Sequence, residues 1–225
     1  MTKKELKQRT FWSNIKNFIL LGLSYLRYWF KVKPKNLPIS NKYELVFEDD
    51  FKTLDKDIWR YGQPWGDYHY DGNPNLYYPT DGSGINIVED GLKLSLEYNP
   101  KTYIKSELPE WRQDDYLPER WMMEYSSALI TSKVGFEKGW FEATIKFPRE
   151  RSMWAAWWLH GFDSWPPEID IIEIYTDDVN NPKEIRHEPN IHWRNDKEEL
   201  TSYGRNKFLL RDSDKRFVNF ACHWT

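Results

Sequence analysis

From Tyr43 onward, apolar residues recur in short runs with a period of two, separated by clusters of Gly, Pro, Asp and Asn. These runs predict strands over Tyr43–Phe47, Ile85–Val88, Leu92–Tyr98, Ser127–Thr131, Trp140–Phe147, Trp154–Leu159, Ile169–Tyr175, Asn190–Trp193 and Phe217–Trp224. Glu89-Asp90-Gly91 suits a hairpin turn, because glycine accepts positive φ without a steric penalty. Many short strands and no convincing helix after residue 42 imply an all-β, antiparallel sandwich. The stretch Asn99–Tyr125 is long, charged and aromatic, and is expected to be a surface insertion of the kind that shapes a binding cleft.

The chain before Tyr43 follows a different period. Phe11, Ile15, Phe18, Ile19, Leu23, Leu26 and Phe30 recur at helical spacing, and Pro34 and Pro38 end the pattern. Three readings compete for it. A signal peptide would have this basic start and apolar stretch, but no small-residue cleavage site follows. A membrane span would need a longer apolar run than one interrupted by Lys16, Asn17 and Arg27. A basic amphipathic helix, lying on a membrane surface or docked on a partner, fits best. Charge sharpens the division. Residues 1–36 carry nine Lys/Arg against Glu5, so they hold +8 of a total of −3 and leave −11 on the remainder. The expected organisation is therefore an N-terminal helical extension over 1–38 and one domain over 39–225, with membrane-surface or envelope contact through residues 1–36.

Composition narrows the chemistry. The single cysteine, Cys222, excludes an intrachain disulfide. No Cys/His cluster has zinc spacing, and no phosphate-binding glycine loop is present. The acidic balance gives no reason to expect a nucleic-acid partner. Aromatic residues make up 17%, with 13 Trp, 14 Tyr and 12 Phe, more than a core of this size ordinarily uses. Flat amphipathic rings that stack on sugar faces would account for the surplus, and on composition alone an aromatic-rich β core would account for it equally well.

The candidate chemistry lies in Glu168-Ile169-Asp170-Ile171-Ile172-Glu173. On a regular strand Glu168 and Asp170 share a face, while Glu173 falls out of phase. One extra residue at Ile171-Ile172, a β-bulge, returns Glu173 to the acidic face and sends the isoleucines to the other. Without the bulge a carboxylate would be buried among isoleucines, at a cost of several kcal/mol. Three clustered acids raise at least one pKa, which suits a group that must carry a proton at neutral pH. Long glutamate side chains leaning inward would bring their carboxyls towards the roughly 5–5.5 Å of retaining glycosidases.

The same run resembles the active-site motif of glycoside hydrolase family 16, in its bulged laminarinase-, agarase- and carrageenase-like form. The likeness extends to Glu44–Phe51 and Leu54–Gly62 near the domain's start, and to Gly139–Pro148 and Trp154–Leu159 before the motif. After the motif it includes His192-Trp193 and Phe217–Thr225. The resemblance implies a β-jelly-roll sandwich with a concave substrate cleft. It implies Glu168 as nucleophile, Glu173 as acid/base, and Asp170 as the carboxylate that tunes the nucleophile. It also implies aromatic sugar subsites, for which Trp154, Trp165, Trp158 and Trp65 are candidates, with His192 bonding a sugar or a catalytic carboxylate. Trp157 and Trp158 alternate, so one of them is expected in the core.

No cofactor or catalytic metal is required by this chemistry. Some family members bind a structural calcium, to which Glu48 and Gly91 could contribute. Family domains continue beyond the Trp224-Thr225 position, so the domain is expected to be truncated at its C-terminus. The expected reaction is retaining endo-hydrolysis of an extracellular β-linked polysaccharide, β-1,3-glucan before the algal galactans agarose, carrageenan and porphyran. A transglycosylase and a non-hydrolytic glycan-binding protein on the same scaffold are the alternatives.

Overall fold

Alternating patterns of this kind satisfy their backbone bonds only by pairing with one another, and the computed structural model shows how they pair. It describes residues 43–64, 66–67, 75–108, 110, 113, 117–176, 186–204, 208–209 and 214–225. The chain divides into two units, Met1–Val46 and Phe47–Thr225, and the description below concerns the second. The helical reading of residues 1–38 lies outside the described residues.

Among the described residues fourteen strands follow in order: β1 (Trp59–Tyr61), β2 (Leu76–Tyr77), β3 (Ile85–Val88), β4 (Gly91–Leu94), β5 (Leu96–Ile104), β6 (Arg120–Ser127), β7 (Ile130–Ser132), β8 (Gly139–Ile145), β9 (Trp154–His160), β10 (Glu168–Tyr175), β11 (Arg186–Arg194), β12 (Leu200–Ser202), β13 (Phe208–Leu209) and β14 (Val218–Trp224). The longest sheet runs β12-β11-β10-β9, with β13 also on β11; the others are β14-β8, β2-β6-β5, β3-β4 and β1-β7.

Two expectations are corrected. Tyr43–Phe47 forms no strand among the described residues, and Leu45 and Val46 stand largely in solvent. The supposed insertion Asn99–Tyr125 begins and ends in sheet: β5 and β6 pair antiparallel at its two ends, from Leu96↔Ser127 to Ile104↔Arg120. The stretch reads as a loop because lysines, a proline and a glutamate interrupt its alternation, yet their side chains can point outward from a half-exposed sheet. The all-β sandwich is as expected, its strands pairing antiparallel apart from the two-residue β2, which runs parallel to β6. The β3–β4 hairpin does turn at Glu89-Asp90, and Gly91 takes φ 127° where the second strand begins.

The core that supports the site lies beneath β10. Ile171, Ile172 and Ile174 are buried with Phe147 and Phe220, and Phe141, Ile145, Trp157, Leu159, Ile169, Val218 and Cys222 pack around them. The β8–β14 pair therefore backs the β9–β10–β11 sheet. Ile172 and Ile174 are fully buried, each worth about 1.5–3 kcal/mol of transfer free energy.

The bulge sits where parity requires it. Asp170 pairs with Trp158 and Ile172 with Trp157 on β9, so Ile171 is the extra residue. On β11, Asp170 pairs with Asn190 and Glu173 with Glu188, leaving Pro189 alone opposite Ile171 and Ile172. A proline is tolerated in this interior strand because its nitrogen points away from β10. Ile191, two residues on, directs its N–H to the Tyr203 carbonyl on that same far side.

Candidate active site

The pairing arranges one face of β9–β10–β11 in four cross-strand rows: His160–Glu168–His192, Trp158–Asp170–Asn190, Ala156–Glu173–Glu188 and Trp154–Tyr175–Arg186. All three motif carboxylates lie on this face, with the isoleucines behind them. Trp158 shares the face, and Trp157 packs into the core. Trp65 lies outside the described residues.

At one end, the Glu168 carboxylate accepts from the indole Nε1 of Trp165 through Oε2. Trp165 is held by the loop joining β9 to β10. Gly161 N–H donates to the Pro167 carbonyl at 2.8 Å. A Cβ on Gly161 would come within 2.4 Å of the Ser164 carbonyl oxygen, so only glycine lets the loop close this tightly. Trp165 is 49% exposed, which leaves ring surface available for a ligand.

Asp170 is almost wholly buried. Burial, then the charges of Glu168 and Glu173, then a hydrogen bond with Glu168, push its pKa up to about 8. At neutral pH it therefore keeps its proton and donates to Glu168. His192 completes this end, its Nε2 lying 3.3 Å from Asp170 Oδ2 and 3.9 Å from Glu168 Oε1. The tautomer follows from its neighbours. Asn190 Oδ1 accepts the Ile191 N–H at 2.9 Å, so its Nδ2 faces Nε2 at 3.0 Å. An amide nitrogen can only donate, so Nε2 carries the lone pair and Nδ1–H donates to Ser202 Oγ at 2.7 Å.

At the other end, Glu173 is surrounded differently. Trp154 Nε1 and Tyr175 Oη both donate to its Oε1, at 2.8 and 3.0 Å. Burial raises its pKa, these two hydrogen bonds oppose the rise, and the charges of Glu168 and Glu188 add to it. The net shift is upward. Trp154 stacks on Tyr175 with centroids 5.7 Å apart, and the Arg186 guanidinium lies 5.1 Å from the Tyr175 ring. Arg186 is itself paired with Glu188.

Tyr175, Asn190, Glu188, Arg186 and Ser202 are site residues that the sequence pattern did not single out. Register reveals them: Arg186 and Glu188 lie where β11 extends beyond its predicted start, Ser202 lies on the unpredicted β12, and Tyr175 and Asn190 stand at the ends of predicted strands. Glu168, Asp170 and His192 each offer a ligand atom, all within 4.8 Å of one another. The Asp170 proton and the Asn190 amide engage those lone pairs, and no metal is assigned to them. Glu48 and Gly91, which the resemblance offered to a calcium, are not members of that group.

Comparison with known proteins now bears on this geometry. Residues 78–225 match the family Glycosyl hydrolases family 16. The chain is 28% identical over 153 residues to the endo-1,3-1,4-beta-glycanase EglC of Rhizobium meliloti (strain 1021), covering 60% of this chain and 30% of that protein. It is 31% identical over 108 residues to a glucan endo-1,3-beta-glucosidase of Cryptopygus antarcticus, covering 45% and 36%. The chain thus spans about a third of the length of these relatives. Among solved structures, one comes from work on endo-acting O-glycanases that human gut microbiota express to initiate mucin breakdown. It gives a TM-score of 0.61 at 18% identity, covering 79% of this chain and 63% of that one. A family 16 protein of Bacteroides ovatus, from its mixed linkage glucan system and in complex with product, gives 0.53 at 20%, covering 80% and 71%. These likenesses establish a shared fold, the family's β-jelly-roll sandwich.

Proposed function

This chain belongs to glycosyl hydrolases family 16, and we propose that it cleaves internal β-glycosidic bonds of an extracellular β-glucan, β-1,3-glucan foremost, with retention of configuration. The observation that carries this reading is the unlike state of the carboxyls on one sheet face. Asp170 is a neutral donor to Glu168, and burial shifts the pKa of Glu173 upward.

In the first step a Glu168 oxygen attacks the anomeric carbon while Glu173 gives its proton to the departing glycosidic oxygen. The Trp165 indole and the Asp170 hydroxyl steady the attacking carboxylate beforehand. In the second step Glu173, now a carboxylate, takes a proton from water, which attacks the anomeric carbon and releases Glu168. Trp154 and Trp165, both about half exposed, bracket the carboxylates and are suited to stack on sugar rings.

A neutral glucan is favoured over a sulfated galactan by the charge of the face. Glu168, Glu173 and Glu188 line it, and Arg186, the cation among the four rows, is committed to Glu188. The names of the two relatives point the same way. The test is incubation with laminarin, mixed-linkage glucan, agarose and carrageenan. Products are sized, and the anomer first released is read by proton NMR. Depolymerisation of laminarin to β-anomeric ends is expected. Cleavage of carrageenan alone, or first release of the α-anomer, would overturn the substrate or the mechanism respectively.

A further inference from the structure

A carboxylic acid that donates in catalysis must present its proton on the oxygen facing the leaving group. Glu173 has two oxygens, and the structure treats them differently. Oε1 accepts from both Trp154 Nε1 and Tyr175 Oη. An indole N–H only donates, so Oε1 serves as the acceptor oxygen. Burial and the neighbouring Glu173 charge push the Tyr175 phenol well above its ordinary pKa, so its hydroxyl keeps its hydrogen and donates as well.

We propose that Tyr175 is a positioning residue for Glu173: together with Trp154 it marks Oε1 as the acceptor oxygen and leaves the transferable proton on Oε2. This rests on the reading of Glu173 as the acid/base. Tyr175 is built for the task. It shares a cross-strand row with Trp154 on β9 and Arg186 on β11. The indole stacks on its ring from one neighbouring strand, and the guanidinium covers it from the other. With both neighbours packed on its ring, Tyr175 is unavailable as a sugar platform, and its hydroxyl is left aimed at the preceding row. In that row β9 supplies only Ala156, which gives Glu173 room. Among the described residues, the titratable and charged groups facing Glu173 are Glu168 and the protonated Asp170 on its own strand and Glu188, with Arg186 behind it, on β11. None comes from β9.

The test is Tyr175→Phe, which removes the hydroxyl and keeps the ring between Trp154 and Arg186. Losing a donor that favours the carboxylate allows burial to raise the Glu173 pKa further. The basic limb of the kcat/KM profile on laminarin should therefore move up by about one pH unit. Because the proton is no longer confined to Oε2, kcat on polymer should fall about tenfold. An aryl β-glucoside with an acidic phenol needs no protonation, and should lose no more than about twofold. Infrared difference titration of the Glu173 carboxyl, identified against Glu173→Gln, reads the same shift without turnover. Trp154→Phe removes the other donor and should move the midpoint in the same direction. A folded Tyr175→Phe whose carboxyl midpoint and basic limb match wild type overturns the proposal. If wild type cleaves no glucan, the functional reading fails, and the infrared midpoints still decide the role of Tyr175.

Discussion

The two ends of β10 hold chemically identical glutamates in opposite ways. Glu168 is met by a single indole and by a protonated aspartate, both of them donors. That surrounding offers donors to a charge and suits a carboxylate kept ready to attack. Glu173 is partly buried, and its two donors do not cancel the cost of ionising there. That surrounding suits an acid. Four residues of sequence separate Glu168 from Glu173, and the neighbours that distinguish the two ends come from β9, β11 and the Gly161–Pro167 loop as well as from Asp170 and Tyr175 on β10 itself. Chemical role here is assigned across strands as well as along one.

The difference can be broken in graded ways. Glu168→Gln removes the proposed nucleophile, and turnover on laminarin should drop on the order of 10⁴-fold or more, with the fold retained by circular dichroism. Residual activity within tenfold of wild type would transfer the role elsewhere. Glu173→Ala should cost about 10²–10⁴-fold on polymer and far less on an aryl glycoside of an acidic phenol. Equal losses on both substrates would erase the proposed asymmetry.

Trp165→Phe tests a single donor at the Glu168 end. One charge-assisted hydrogen bond is worth about 1.5–3 kcal/mol, so kcat/KM should fall roughly tenfold to a hundredfold. The limb governed by Glu173 should stay in place, which separates this variant from Tyr175→Phe.

The smallest effect concerns stability. The folded pKa of Asp170, about 8, lies above its ordinary 3.8, so the native state binds the extra proton between those values. Its contribution is present in full at acid pH and is lost as pH rises through 8. Asp170→Asn cannot ionise. Its melting temperature should therefore gain on wild type between pH 5 and pH 9, by about 3 °C or more. Parallel melting curves across that range would show that Asp170 is already ionised in the folded protein.

How far the site was legible follows from what each residue signals locally. Parity forced the bulge: Glu173 could reach the acidic face only if Ile171 or Ile172 was surplus, and the pairing identifies Ile171. Trp158 and Trp157 divided between face and core by the same alternation. Tyr175 was hidden because a tyrosine closing an apolar run looks like the end of a strand, and only its partners Trp154 and Arg186 give it a place. Asn190 and Ser202 were hidden for a related reason. Their importance lies in orienting His192, and nothing local in a polar residue announces a partner on another strand. Pro189 concealed the true length of β11, since a proline ordinarily argues against a central strand.

Ile171 itself touches no substrate in the scheme above, and its removal would leave every charged and aromatic group on the same face of β10. Deleting it yields a run in which strict alternation alone keeps the three acids together. What the deletion changes is torsion: a bulge bends its strand and increases the local twist. The plane containing Glu168 and Trp165 would then rotate relative to the plane containing Glu173 and Tyr175. A polymer lying across both would be gripped at a different pitch, so an inserted aliphatic residue sets the mutual aim of the two groups to which the proposed chemistry falls.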